Sequence, residues 1–244
     1  MKRLFVVLAL AAPTLHADGT ADLRAALAKF PGHDALRATI AIESEDRSDD
    51  ADAKPEPGRG AIEVNKGADG LHVTYAPDVV GRAQQEARAN ENDPEKQTPT
   101  VRALRELDAV TIMEVLDAAG VLSRYLDNAK LQKDVSLPNN GKPYRQLTFS
   151  VQPKLSKSDA KHVKTATMTL VVNLGADGIP FSAEMKKYIK IKILLISVEQ
   201  NAQEIWTFGR AGDNLIATRH HETQSGSGFG QKFSGTKTMT VVVR

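Results

Sequence analysis

At 244 residues, the chain is long enough to bury a sizeable core without cross-links. It contains no cysteine, so thiol nucleophiles, cysteine-ligated zinc and iron–sulfur clusters are excluded. The formal net charge is only +2, from 32 basic and 30 acidic side chains, and aromatic residues make up 5%.

The first residues divide into three zones. Lys2 and Arg3 give a positive start, Leu4 to Ala12 is an unbroken apolar run, and Leu15-His16-Ala17 precedes Asp18. This pattern predicts a signal peptide over 1–17, cleaved after Ala17, and a periplasmic or secreted protein. The apolar run is shorter than the roughly 20 residues of a spanning helix. No cysteine stands at the cleavage position to carry a lipid anchor. The nearest later apolar stretch, Ile189 to Val198, is interrupted by Lys190 and Lys192. Export together with so few aromatics argues against a nucleic-acid partner. Removing Lys2 and Arg3 brings the charge to zero and uncovers an asymmetry. Residues 18–135 carry 15 basic and 23 acidic groups, whereas 136–244 carry 15 and 7. Either the two parts pack with complementary fields, or the basic part faces an anionic surface such as lipid headgroups.

Leu23, Leu27 and Phe30 recur at helical spacing over Asp22–Phe30, and Pro31-Gly32 stops the helix. Ala38, Ile40 and Ile42 alternate as a strand. Residues 45–58 are acidic and proline-bearing and read as a loop inserted in a hairpin. Ile62 and Val64, then Leu71, Val73 and Tyr75, flank the turn at Gly67–Gly70. Residues 81–100 are polar and predict a helix loosening into a loop. From Leu104 to Ala129 apolar residues step by three and four, with a break expected at Gly120. Lys133 to Pro143 ends a helical insertion of about 78–132. Everything from Tyr144 reads as strand: 144–151, 168–174, 181–188, 189–198, 203–208, 214–223 and 232–243, with turns at Gly175–Gly178, Gly209–Gly212 and Ser225–Gly230. Lys186, Tyr188, Lys190 and Lys192 share one face, opposite Lys187, Ile189, Ile191 and Ile193. Leu194, Leu195 and Ile196 then make both faces apolar, which calls for helical cover. The fold class is α+β: a curved antiparallel sheet or incomplete β-barrel of about 8–10 strands with covering helices, in one domain over 18–244.

Catalytic signatures are missing. Ser225-Gly226-Ser227-Gly228 fails the nucleophile-elbow spacing, and the glycines at 226, 228 and 230 open no helix that could cradle phosphate. His220 and Glu222 share a strand face, but nothing in the sequence supplies a third metal ligand, so they read as an exposed polar strand end. The strand-rich half has seven acids (Asp159, Asp177, Glu184, Glu199, Glu204, Asp213 and Glu222), mostly expected at turns or strand ends. No catalytic residue, cofactor or metal is expected. What remains is binding. Leu116, Leu126, Phe149, Phe181, Trp206 and Phe208 are the candidates to line an apolar pocket between sheet and helices. Lys186, Lys190 and Lys192 are the candidates to meet a headgroup or surface.

The helix Leu23–Phe30, the strand Thr39–Ile42, and the pair Gly60-Ala61-Ile62-Glu63-Val64 and Leu71-His72-Val73-Thr74-Tyr75-Ala76-Pro77 resemble, in kind and order, the periplasmic outer-membrane lipoprotein carriers (the LolA-like superfamily). That resemblance implies an incomplete barrel with a helical lid, and a binder or carrier of lipids or acyl chains. The 45–58 insertion and the long helical region depart from the family, and no motif here takes its functional arginine. The expected function is an exported carrier of a hydrophobic ligand, with a membrane surface or an envelope protein as further partner. The alternatives are a non-catalytic module of an envelope complex and an envelope-polymer hydrolase.

Overall fold

Period-two alternation through most of the chain produces ten strands, all in one antiparallel sheet ordered β3-β2-β1-β10-β9-β8-β7-β6-β5-β4. The strands are β1 Leu36–Ser48, β2 Gly58–Gly67, β3 Gly70–Tyr75, β4 Ala129–Leu137, β5 Tyr144–Val151, β6 Val163–Leu174, β7 Pro180–Ile193, β8 Ile196–Ala211, β9 Asn214–Gly228 and β10 Gln231–Val243. Among the described residues five helices complete the fold: α1 Gly19–Leu27, α2 Pro77–Asn92, α3 Pro99–Arg105, α4 Ala109–Leu116 and α5 Ala118–Leu126. The computed structural model describes residues 18–48, 56–138, 143–156, 160–193, 196–228 and 230–244. Residues 1–17, where a signal peptide is expected, the middle of the acidic insertion and Leu194-Leu195 lie outside the described residues.

The sheet is curved and does not close, because β3 and β4 end it without pairing to each other. The helices fill its concave side: α3 lies on β2 and β1, α4 and α5 on β9, and α1 against α5 and β4. One continuous core results. Ile40, Ile62, Leu116, Phe149, Leu170 and Leu215 are each at most 1% exposed, and burying one such Leu or Ile contributes about 1.5–3 kcal/mol.

Local chemistry sets the helix ends. Asp18 caps α1, its carboxylate accepting from Thr20 N at 3.1 Å. The helix stops at Leu27, three residues before the expected Phe30, because its last turn tightens: Phe30 N donates to Leu27 O at 2.9 Å. The break in the 101–131 region falls at Asp117 rather than Gly120. Asp117 ends α4 and caps α5, accepting from Gly120 N at 2.8 Å.

Several strand boundaries differ from the sequence reading, among them the start of β6 at Val163 and the end of β8 at Ala211. β1 continues through Glu45–Ser48, held by pairing such as Glu45↔Thr236, so the acidic insertion begins later than residue 45. Residues 129–137 form the edge strand β4, not the end of a helix; a bulge between Leu131 and Lys133 breaks its alternation. The stretch 189–198 is not one strand. It is the end of β7 and the start of β8, with Ile193 paired to Ile196 across the reversal. The expected doubled apolar face at Leu194 and Leu195 falls outside the described residues. Last, β9 runs through Ser225–Gly228, and the turn shrinks to the residues before Gln231.

The acidic first part and the basic second part do meet. Arg145 pairs with Asp22 at 2.6 Å and Asp134 at 2.5 Å, Lys237 with Glu106 at 3.1 Å, and Arg244 with Glu63 at 2.8 Å.

Candidate functional site

Antiparallel register stacks the inward side chains of β7, β8, β9, β10 and β1 into rows across the concave face. The first row is Ala183, Trp206, His220, Met239 and Ile42. It belongs to the helix-covered core. Trp206 is 6% exposed and lies flat on His220, with ring centroids 5.2 Å apart and planes at 5°. Leu116, Leu126 and Phe149 are buried in the same cluster at 0%, 2% and 0% exposure, and Phe208 packs against it. Of the six candidate pocket residues only Phe181 stands apart. It is 40% exposed on the outer face, edge-on to Tyr144 at 5.8 Å.

The second row is Met185, Glu204, Glu222, Lys237 and Ser44, and the third is Lys187, Ala202, Gln224, Gly235 and Asp46. Together they put a layer of charge inside the trough. Glu204 and Glu222 face each other across β8 and β9, a like-charge pairing that is unfavourable by itself. Each is neutralised from a different side. Lys187 is ion-paired to Glu204, and His220 Nε2 stands 3.6 Å from the other Glu204 oxygen. Lys237 holds Glu222 at 2.9 Å and also reaches Glu106, in the connection between α3 and α4, at 3.1 Å. Tyr125 of α5 lies beside Lys187 and Glu204.

These neighbours decide the protonation states. Burial pushes the Glu204 carboxyl up, but the His220 ring and the Lys187 ammonium together outweigh it and hold the group below the usual carboxylate range. Burial pushes Lys187 down, and the charge of Glu204 and the Tyr125 phenol more than reverse this. Lys237 is likewise lowered by burial and raised further by Glu222 and Glu106. Burial, then Glu204, raise Tyr125. The layer is therefore ionised at neutral pH and internally matched. Beside it, Ser44 faces a void of about 30 Å³, too small for an organic ligand. Among the described residues no group of three or more side chains is arranged to hold a metal ion.

Beyond the charge the inner face turns apolar again. The fourth row carries Ile189, Gln200, Gly226 and Phe233, and Ile191 pairs with Val198 further out. Ile189, Ile191 and Val198 are half-buried and Phe233 is 38% exposed. Phe233 leans over Gly226, and Val198 covers Gly228, where an added Cβ would come within 2.9 Å. This is why the Gly-Ser-Gly run stays in a strand: neighbouring side chains occupy the space its glycines leave.

The three candidate lysines are on the other side of the sheet. Lys186 pairs with Glu184 at 3.1 Å and Lys190 with Glu199 at 2.5 Å, while Lys192 is exposed. The lysines that enter the trough, Lys187 and Lys237, were not among the candidates. Their signal was a lysine sharing strand parity with Met185 and Ile189, or with Met239 and Val241, which requires a buried acidic partner. His220 corrects the expectation of an exposed polar strand end, since it is 8% exposed in a central strand. Glu204 and Glu222 are mid-strand and not terminal, at 11% and 23% side-chain exposure.

Larger hollows lie elsewhere. One of about 400 Å³ sits on the outer face among Thr169, Lys186, Tyr188, Asn201 and Thr223. One of about 590 Å³ lies beside α1, lined by Lys29, Tyr144, Arg145 and Leu174.

No protein-family model and no curated protein matches the chain. Among solved structures, it is similar to a LolA superfamily protein from Nitrosomonas europaea, at 10% identity and a TM-score of 0.32, over 91% of this chain and 92% of that one.

Proposed function

We propose that the protein is exported and binds a hydrophobic, acyl-chain-like ligand in the open half of the trough. The observation that carries this reading is the inward apolar surface of Ile189, Ile191, Val198 and Phe233, which stays partly open beyond the point where Glu106 and Tyr125 bring the helices to the sheet. Each methylene laid on it contributes roughly 0.8 kcal/mol when fully buried. The ionised rows form the floor, because apolar chain cannot displace matched charges without leaving them unpaired. The filled core behind that floor gives the trough a rigid back. Export is supported by the Lys2-Arg3 start and apolar run ahead of Asp18, and by Asp18 itself: after cleavage at Ala17 it remains to cap α1.

Native mass spectrometry of protein purified from the periplasm tests both parts. The expected mass begins at Asp18 and carries an extractable lipid, which Val198→Asp removes. A bare polypeptide mass, under conditions that retain lipid on a known carrier, overturns the ligand reading. A mass that keeps residues 1–17 overturns export.

One observation favours a second reading, a non-catalytic module of an envelope complex. The space beneath the helices is filled by the chain itself, with Ile112, Val115, Leu116, Leu122 and Leu126 each at most 2% exposed. A ligand-free protein that co-purifies in a defined stoichiometric complex is the outcome this reading expects.

A further inference from the structure

We propose that the corner where β6 begins and β7 ends docks on an anionic lipid surface. Antiparallel register brings these ends together, with Val163 opposite Ile191. The segment leading into β6 is tied to the same place, since Lys192 N donates to His162 O at 2.9 Å. Lys161, Lys164 and Lys192 are all exposed there, and none has an ion-pair partner among the described residues. Among the described residues of this segment the acids are already committed: Glu184 to Lys186 and Glu199 to Lys190. Between residues 152 and 200 the sequence holds eight lysines against three acids besides, so the excess is built into the segment.

Where the acidic and basic parts meet, cations are matched by carboxylates, as Arg145, Lys237 and Arg244 show. Three unmatched lysines at one corner, beside the half-buried Val163 and Ile191, make a cationic rim with apolar side chains at its edge. That is the complement of a phospholipid interface, negative at the headgroups and apolar beneath. Glu45 and Asp46, near the end of β1, lie across β10, β9 and β8 from β7. That is roughly 19 Å along the sheet, beyond the screening length of about 8 Å. The separation orients the protein, positive corner toward the bilayer.

The test is co-sedimentation with vesicles of phosphatidylcholine alone or with one-third phosphatidylglycerol. Wild type is expected to bind only the anionic vesicles and to release as salt rises. Each lysine at such a surface contributes about fivefold, so Lys161→Gln/Lys164→Gln/Lys192→Gln is expected to weaken binding about 100-fold. The matched triple Lys29→Gln/Lys96→Gln/Lys133→Gln, exposed lysines away from this corner, is expected to lose far less. Equal loss in the two triples, equal binding to neutral vesicles, or no binding to anionic vesicles at low salt overturns the proposal. So does salt-sensitive binding to heparin without binding to vesicles. Should the first triple fail to fold, the wild-type comparison of the two vesicle types still decides. The outcome is independent of the trough, because a protein that yields no extractable lipid can still sediment with anionic vesicles.

Discussion

The imidazole of His220 lies flat on the indole of Trp206, 5.2 Å away and 5° from parallel. Its Nε2 atom, buried and without a hydrogen-bond partner, points toward Glu204 across 3.6 Å. The stack joins the helix-covered core to the charged layer.

Trp206 is the chain's sole tryptophan, so its emission reports that junction without interference. Removing the stacked ring changes the surroundings of the indole. In His220→Leu the emission is expected to change in intensity and position while the far-ultraviolet circular dichroism stays constant. An unchanged emission spectrum would show that the rings are not stacked in solution.

Removing one member of the inner ion pairs leaves a buried charge uncompensated. Glu204→Gln is expected to cost about 3 kcal/mol, at the low end for buried pairs because the Lys187 side chain stays 35% exposed. The double variant Glu204→Gln/Lys187→Met is expected to recover much of that. The pH dependence has a definite sign. Glu204 is held below its ordinary value, so its contribution is present above the unfolded pKa and lost as pH falls through the folded one. Lys187 and Lys237 are held above theirs, so theirs is fully present below the unfolded pKa and lost as pH rises through the folded one. Urea midpoints should form a plateau at neutral pH with an acid limb and an alkaline limb. Glu204→Gln flattens the first and Lys237→Met the second; unchanged limbs would refute the assignment.

Two glycines should respond in opposite directions to alanine. In Gly226→Ala the new methyl meets the Phe233 ring and lies 2.5 Å from the Glu199 carbonyl oxygen, so a loss of about 1–3 kcal/mol is expected. In Gly81→Ala, within α2, the methyl meets nothing within 4 Å, and a gain of about 0.8–1 kcal/mol in helix propensity is expected. Thermal melts of the pair settle both.

Much of this architecture was legible in the alternation. Ile40 and Ile42, Leu147 and Phe149, and Leu170 and Val172 read as inward pairs and are inward pairs, because period-two burial is a local property of a strand. The candidate site was less legible. An extra residue near Thr218, at the register shift between Thr207 and Phe208, switches the parity of β9. Counting from Leu215 and Ala217 therefore places His220 and Glu222 on the wrong face. Strand β4 escaped notice for the same reason, its bulge lying between Leu131 and Lys133.

The sequence by itself determined the strand-rich α+β class, the absence of cysteine chemistry and the opposition of an acidic first part to a basic second part. Those are properties of composition and of neighbours two to four residues apart. Only the tertiary structure decided that Trp206 and Phe149 fill a core, that Lys187 and Lys237 neutralise facing glutamates inside the trough, and that Lys186 and Lys190 are matched outside it. Each of these depends on which strands lie side by side and in what register. Such pairing is a long-range outcome that no single stretch of chain encodes.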